Sequence, residues 1–227
     1  MLDNLNIDGK DLRIIKNMYW QQKAAIKIDN ETGTFQHIKQ GVRQGCVLSP
    51  DLFNLYSEII MRSIQDMPGI SIGGHNINNL RYADDTVLIA EKETHLQEMI
   101  NIIAKESLSK GLSLNTRKTE VMVITKNKCP PECNIKVDGI SLKQVNNFKY
   151  LGTLITADGR CIKEIKSRVT QAKATFHKMK NILCNMSLSI EVRKRVLRSY
   201  IEPILLYGSE SWTINRLARN HIEATEM

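Results

Sequence analysis

The sequence predicts an α+β fold in which an antiparallel sheet is backed by helices and followed by a helical C-terminal region. Three observations predict it. Short β-prone runs fill residues 112–155 and are broken by Asp138-Gly139, the favoured hairpin turn chemistry. Two further β-prone runs flank Tyr82-Ala83-Asp84-Asp85. Beyond Asp158-Gly159, apolar residues recur at helical spacing among many basic ones. The 227 residues can bury a substantial core, as one large domain or one with a smaller appendage. With 42% hydrophobic and 25% charged residues, the chain is neither disordered nor collagen-like.

The elements follow in order. Leu12, Ile15 and Tyr19 recur at helical spacing and predict an opening helix. AAIKID and TFQHIK then flank the turn-rich DNETG in the manner of a β-ribbon. GVRQGCVLSP carries two glycines and a proline and reads as a loop, followed by a long helix from near Asp51 with Leu52, Leu55, Ile59 and Ser63 on one face. In NNLRYADDTVLIA, Leu80 to Ala83 and Thr86 to Ala90 are expected to form a tight hairpin with Asp84 and Asp85 at its tip. Leu96, Met99, Ile100 and Ile103 give the next helix its buried face, and Gly111 is its cap. The runs VMVIT, NIKV, ISL and FKYLGTLI form the edge of the sheet, and the composition shifts near residue 157. In the helical region Ile162, Ile165, Val169, Ala172, Phe176, Met179 and Leu183 form one apolar stripe. Lys163, Lys166, Lys173, His177 and Lys180 form a second about a quarter turn away, and the following helix adds Arg193, Lys194, Arg195 and Arg198.

The net charge of +8 favours polyanionic partners, because a positive protein releases the counterions condensed on them. Five scattered cysteines and the polar opening MLDNLNIDGKDL point to a reducing compartment, nuclear or cytoplasmic. Cys129 and Cys133 have a spacing a metal tolerates, yet no second Cys/His pair stands nearby, so a zinc site is not expected. No apolar run approaches the ~20 residues of a membrane span, and no membrane partner is expected.

Asp84-Asp85 carries the sharpest chemistry. Successive strand side chains point to opposite faces, so two adjacent aspartates approach one ligand only where the strand turns. Two carboxylates ~4 Å apart repel by roughly 4 kcal/mol at an effective dielectric near 20, and a divalent cation resolves that conflict. Magnesium takes oxygen ligands while keeping positions open for substrate phosphates. A bare Asp-Asp pair is more often an exposed turn, and the hairpin context with its neighbouring motifs is what favours a metal site.

With GVRQGCVLSP before it and GLSLNTRKTEVMVI after it, NNLRYADDTVLIA resembles the reverse transcriptases of non-LTR (LINE-type) retrotransposons, with group II intron enzymes as more distant kin. The resemblance runs from about Lys16 to Trp212 in four ordered motifs. It implies a polymerase palm followed by a helical thumb, with residues 1–50 as partial fingers and palm entry, 51–156 as palm and 157–227 as thumb. It implies two-metal nucleotidyl transfer with Mg2+, or Mn2+ as the alternative ion, on an RNA template, a DNA primer and deoxynucleoside triphosphates. Asp84 and Asp85 would be the metal pair, with Tyr82 beside them. Gly41, Gln44, Gly45, Ser49 and Pro50 would border the nascent base pair, and Pro50 suits the first helical position. Lys118 would neutralise charge near the nucleotide's phosphates or protonate the departing pyrophosphate, a positioned acid contributing typically 10²–10⁴-fold. Tyr150, Leu151 and Gly152 would grip the primer end, and Lys163, Lys166, Lys173 and Lys180 would meet the nucleic-acid backbone.

Family members carry another metal-binding aspartate on a strand well upstream of the GVRQGCVLSP-like loop. The early acids here, Asp3, Asp8 and Asp11, stand at or before the first helix, where capping is their natural role. The expectation is a fragment truncated at its N-terminus that is inactive alone. A second reading is a non-catalytic remnant that binds RNA or an RNA/DNA duplex, and a third is a subunit whose partner supplies the missing carboxylate. Oligomeric state is not legible.

Overall fold

The computed structural model describes residues 7–226. By packing, the chain divides into two compact units, one ending at Leu114 and the other beginning at Asn115. That division falls inside the expected 51–156 segment. The α+β class holds, but the sheet is fragmented. Among the described residues there are seven two-stranded ladders, six antiparallel and one parallel (Lys143–Gln144 beside Glu120–Val121), rather than one continuous sheet. Each strand runs only two to four residues, and most pair with the sequence neighbour across a tight turn.

The first unit opens with α1 (Gly9–Tyr19). Asp8 occupies its N-cap, but the side chain makes no capping hydrogen bond, so the expected cap is not formed. Asp11 stands in the first turn, where the helix dipole favours a negative charge. Asp3 lies outside the described residues. The ribbon follows as two short antiparallel ladders, Lys23–Ala24 with Gln36–His37 and Lys27–Ile28 with Glu31–Thr32.

The next helix, α2 (Ser49–Met61), starts two residues earlier than expected and holds Pro50 in its first turn, where a missing N–H costs nothing. Its buried face is also displaced. Ile60, Met61 and Ile64 are buried, whereas Ile59 is 38% exposed and Ser63 is exposed. The displacement begins before the 3₁₀ turn Arg62–Ile64: Ile60 and Ile64 stand four apart, and this face, one position on from the expected one, packs with Met99 and Ile103. A hairpin not anticipated from the sequence, Ile70–Ile72 with His75–Ile77, turns at Gly73-Gly74, both at positive φ.

The face of α3 (Glu93–Ser109) is as expected. Met99, Ile100 and Ile103 are buried, and Met99 and Ile103 join Ile60, Met61 and Ile64 in the core. Gly111 ends the helix at φ +75. Its N–H donates to Leu108 C=O at 3.0 Å and the Leu112 N–H to Ser107 C=O at 2.9 Å, the paired bonds of a Schellman motif, while Leu112 packs on the core.

In the second unit, Lys136–Val137 and Ile140–Ser141 pair across Asp138 (φ 49) and Gly139 (φ 80), the expected turn. The hairpin Asn147–Tyr150 with Thr153–Thr156 leads to α4 (Ile162–Lys178), followed by α5 (Lys180–Leu183), α6 (Ile190–Val196), α7 (Glu202–Leu205) and α8 (Arg216–Glu226). The apolar stripe forms the core here. Ala172 and Leu183 are buried against Ile201 and Leu205, with Val169, Phe176 and Met179 packed around them. One π-helical turn, Leu197–Ile201, joins α6 to α7 just before Pro203. Proline lacks an N–H and crowds the turn before it, and the wider π turn accommodates both. Among the described residues no helix is long and apolar enough to cross a membrane.

Candidate functional site

The acidic hairpin forms as expected, with one refinement. Asn79–Tyr82 pairs with Asp85–Leu88, so the two-residue turn is Ala83-Asp84, and Asp85 opens the second strand opposite Tyr82. Ala83 holds φ 51, a conformation that is costly for a residue with a Cβ and that brings the chain round within two residues. Tyr82, Asp84 and Asp85 are exposed. At the tip the side chains of Asp84 and Asp85 therefore meet solvent. Among the described residues, no group of three or more His, Cys, Asp or Glu side chains gathers where it could hold a metal ion.

The base of this hairpin is tightly held. Asn78, only 5% exposed, donates its amide to the Ile64 and Met67 carbonyls at 2.6 and 2.9 Å, and Asn79 donates to the Asn78 side-chain oxygen at 2.6 Å. Gly69 lies against the incoming strand so closely that a Cβ there would stand 2.1 Å from the Ile77 carbonyl oxygen. Arg81 pairs with Glu58 of α2 at 2.8 Å, and Arg62 joins at 3.3 Å.

The hydrogen bond from Arg81 is the main reason the Glu58 carboxyl sits below its ordinary value, with partial desolvation opposing and Arg62 assisting. A depressed carboxyl stabilises the fold above its unfolded value, ordinarily 4.5, and that stability is lost as pH falls through the folded value. We therefore expect Glu58→Gln to flatten the fall in stability below about pH 4.5. At neutral pH it should cost under ~1 kcal/mol, since both partners are about a third exposed and screened by solvent. Urea unfolding at pH 7 and pH 3.5 checks this, and an undiminished pH dependence in the variant contradicts it.

The loop 41–50 is built from the other end of α2. Ser49, buried, donates its hydroxyl to the Arg43 carbonyl at 2.5 Å and lies 3.1 Å from the Tyr19 hydroxyl, which also donates to the Cys46 sulfur at 3.6 Å. That last bond is the first cause holding the Cys46 thiol below its ordinary value. Gly41 and Gly45 adopt φ 93 and 79 with open space where a Cβ would be, so glycine serves the backbone conformation here. Gln44 is exposed between the two anchored stretches. At 1.5 Å per residue, Ser49 and Glu58 stand ~13 Å apart along α2, which thus carries the loop at one end and the hairpin near the other.

The remaining motif residues lie in the second unit. Lys118 is exposed in a turn whose N–H donates to the Asn115 carbonyl at 3.0 Å. Tyr150 is half-buried at the end of its strand, and Leu151-Gly152 form the turn, at φ 47 and 84. Lys163, Lys166, Lys173, His177 and Lys180 are all exposed, and Lys163 reaches the Asn147 side chain at 3.1 Å. In the next helix Lys194, Arg195 and Arg198 are exposed, while Arg193 is half-buried. Sequence reasoning missed Glu164, Arg168 and Tyr207, which surround the Leu151-Gly152 turn. The available signal was the i,i+4 spacing of Glu164 and Arg168 on the edge of the apolar stripe.

Residues 2–155 match the family described as reverse transcriptase (RNA-dependent DNA polymerase). An uncharacterised transposon-derived protein of Caenorhabditis elegans is 31% identical over 68% of this chain and 55% of its own length. A Pol polyprotein from the type-1 retrotransposable element R2 of Popillia japonica is 28% identical, over 77% of this chain and 25% of its own. The RNA-directed DNA polymerase from mobile element jockey of Drosophila funebris is 23% identical, over 92% and 23% respectively. The chain thus spans about half of the first relative and about a quarter of the other two.

Proposed function

The chain belongs to the reverse transcriptase (RNA-dependent DNA polymerase) family, and from that premise we propose that it supplies palm and thumb surfaces of a retrotransposon polymerase acting on an RNA template, a DNA primer and deoxynucleoside triphosphates. The observation that carries this reading is the acidic hairpin, which turns at Ala83-Asp84, exposes both carboxylates and rests on a buried base. Asp84 and Asp85 suit a hard cation that takes oxygen ligands, and they would hold Mg2+, with Mn2+ as the alternative. Such ions, when bound, stabilise the attacking and leaving oxygens of a phosphoryl displacement.

On that reading each unit would contribute its own residues. Gln44, between the fixed Arg43 and Ser49, would border the nascent base pair with Gly41, Gly45 and Pro50, and Tyr82 would flank the carboxylates. Lys118 would neutralise phosphate charge, Tyr150 to Gly152 would grip the primer end, and Lys163, Lys166, Lys173 and Lys180 would line the duplex backbone. On this reading residues 1–50, 51–156 and 157–227 act as partial fingers and palm entry, palm and thumb. Two carboxylates satisfy little of an octahedral shell, so extension by this chain alone should stay at background. Template-dependent extension of a primer on RNA with Mg2+ would overturn that part.

A Mn2+ titration followed by NMR tests the centre without requiring turnover. Amide signals of residues 82–86 should broaden first, and Asp84→Asn with Asp85→Asn should abolish that selectivity. Unselective broadening in the unaltered chain would sink the metal assignment.

The exposed lysines Lys163, Lys166 and Lys173 of α4 and Lys180 of α5 favour a second reading, in which the chain binds RNA or RNA/DNA duplex without catalysis. Replacing the four lysines by glutamine should weaken duplex binding and shallow the dependence of log K on log salt by about 0.7–0.9 for each phosphate no longer neutralised. Unchanged affinity and slope would dismiss the thumb role in both readings.

A further inference from the structure

The turn Leu151-Gly152 is held by side chains that reach it from outside its own hairpin. Glu164 accepts the Leu154 N–H at 2.8 Å and pairs with Arg168, whose other nitrogen donates to the Gly152 carbonyl. The Tyr207 hydroxyl donates to the Leu151 carbonyl at 2.7 Å, and the Arg168 guanidinium lies 4.5 Å from the centre of the Tyr207 ring. Both carbonyls of the turn are therefore engaged by protein. Gly152 fits against the same tyrosine, since a Cβ there would stand 3.2 Å from the ring.

Hairpin formation alone does not require this. Four residue pairs already close the ladder, from Asn147 with Thr156 to Tyr150 with Thr153. The turn Asp138-Gly139 has nearly the same φ values, 49 and 80, on a ladder half as long. Nothing lies within 4 Å of a Cβ built on Gly139, and both residues of that turn are exposed. The same backbone conformation thus stands open to solvent in one hairpin, and in the other three polar side chains immobilise it, two of them almost wholly buried.

We propose that Glu164, Arg168 and Tyr207 are positioning residues that hold the Leu151-Gly152 turn in register to receive the recessed 3′ end of a primer paired with its template. The proposal rests on the reading of this hairpin as the primer grip. None of the three needs to touch nucleic acid. They act through the turn, whose Leu151 side chain remains 38% exposed and whose neighbour Lys149 is exposed.

The test compares binding of the full chain to two fluorescent RNA/DNA hybrids of equal sequence, one with a recessed DNA 3′ end and one blunt. The unaltered chain should prefer the recessed hybrid. Tyr207→Phe removes one hydroxyl and keeps the ring over Arg168, and it should reduce that preference about three- to tenfold, the equivalent of one hydrogen bond. Affinity for the blunt hybrid should stay the same. Arg168→Lys, which keeps the charge but loses the second donor, should act likewise. Leu183→Ala, a buried change away from the turn, serves as a variant matched for reduced stability. If the unaltered chain shows no preference, the primer-grip reading falls and the proposal with it. If it shows one that Tyr207→Phe retains, or that Leu183→Ala reduces equally, the positioning role is refuted while the primer-grip reading stands.

Discussion

Replacing Arg168 with alanine is expected to destabilise the second unit by about 3–5 kcal/mol, the usual cost of leaving a buried charge without its partner. Glu164 is 2% exposed and Arg168 8%, so water cannot take over the broken pairing. The substitution also strips the Gly152 carbonyl of its donor and the Tyr207 ring of its cation. Removing both charges together, as Glu164→Met with Arg168→Leu, should cost less than the arginine change alone, because no charge is then left stranded, although the Leu154 N–H loses its acceptor. Each unit holds one tryptophan, and Trp212 of the second is half-buried, whereas Trp20 of the first is exposed. Urea unfolding followed by Trp212 fluorescence in a Trp20→Phe background reads the effect. A loss below about 1 kcal/mol would show that solvent reaches the pair.

Gly69→Ala should be the most damaging change in the first unit that leaves every side chain in place. The added carbon would sit 2.1 Å from the Ile77 oxygen, 2.5 Å from its carbonyl carbon and 2.6 Å from the Asn78 Cα. All three are backbone atoms, so no side chain can swing aside to relieve the clash. The strand must retreat, carrying Asn78 away from the Ile64 and Met67 carbonyls it satisfies. A loss of about 3 kcal/mol, the upper part of the range for overpacking, is expected from urea unfolding followed by far-ultraviolet circular dichroism. The selective Mn2+ response of residues 82–86 should weaken in parallel. Gly74→Ala, where a Cβ meets nothing but strains a positive φ, is the control and should cost less.

What could be read from the residues follows the range of the forces involved. Local chemistry was legible: the Asp138-Gly139 turn, the Gly111 cap, the acidic hairpin and the stripe from Ile165 to Leu183 all depend on neighbours within a few positions. Periodicity misplaced one face, at Ile59 and Ser63, because Ile60 and Ile64 share the same four-residue spacing and the choice between the two rows is made by packing with Met99 and Ile103. The continuous sheet failed because lateral strand pairing is a long-range choice that alternation does not encode. At the candidate site the charged tip and the lysine row were visible as composition. Their supports were not: Asn78 under Ile64, Arg81 on Glu58 and Tyr207 on Leu151 link positions 14, 23 and 56 residues apart.

The contrast between the two ends of the acidic hairpin has a mechanical meaning. Its root behaves as a fulcrum fixed in the core, while the aspartates ride on a short lever arm in water. On the proposed metal reading, an arriving ion would draw the arm's end together while the root keeps its geometry. Amide chemical shifts of Asn78 and Ile64 should accordingly stay in place on adding saturating Mg2+, while those of residues 82–86 move.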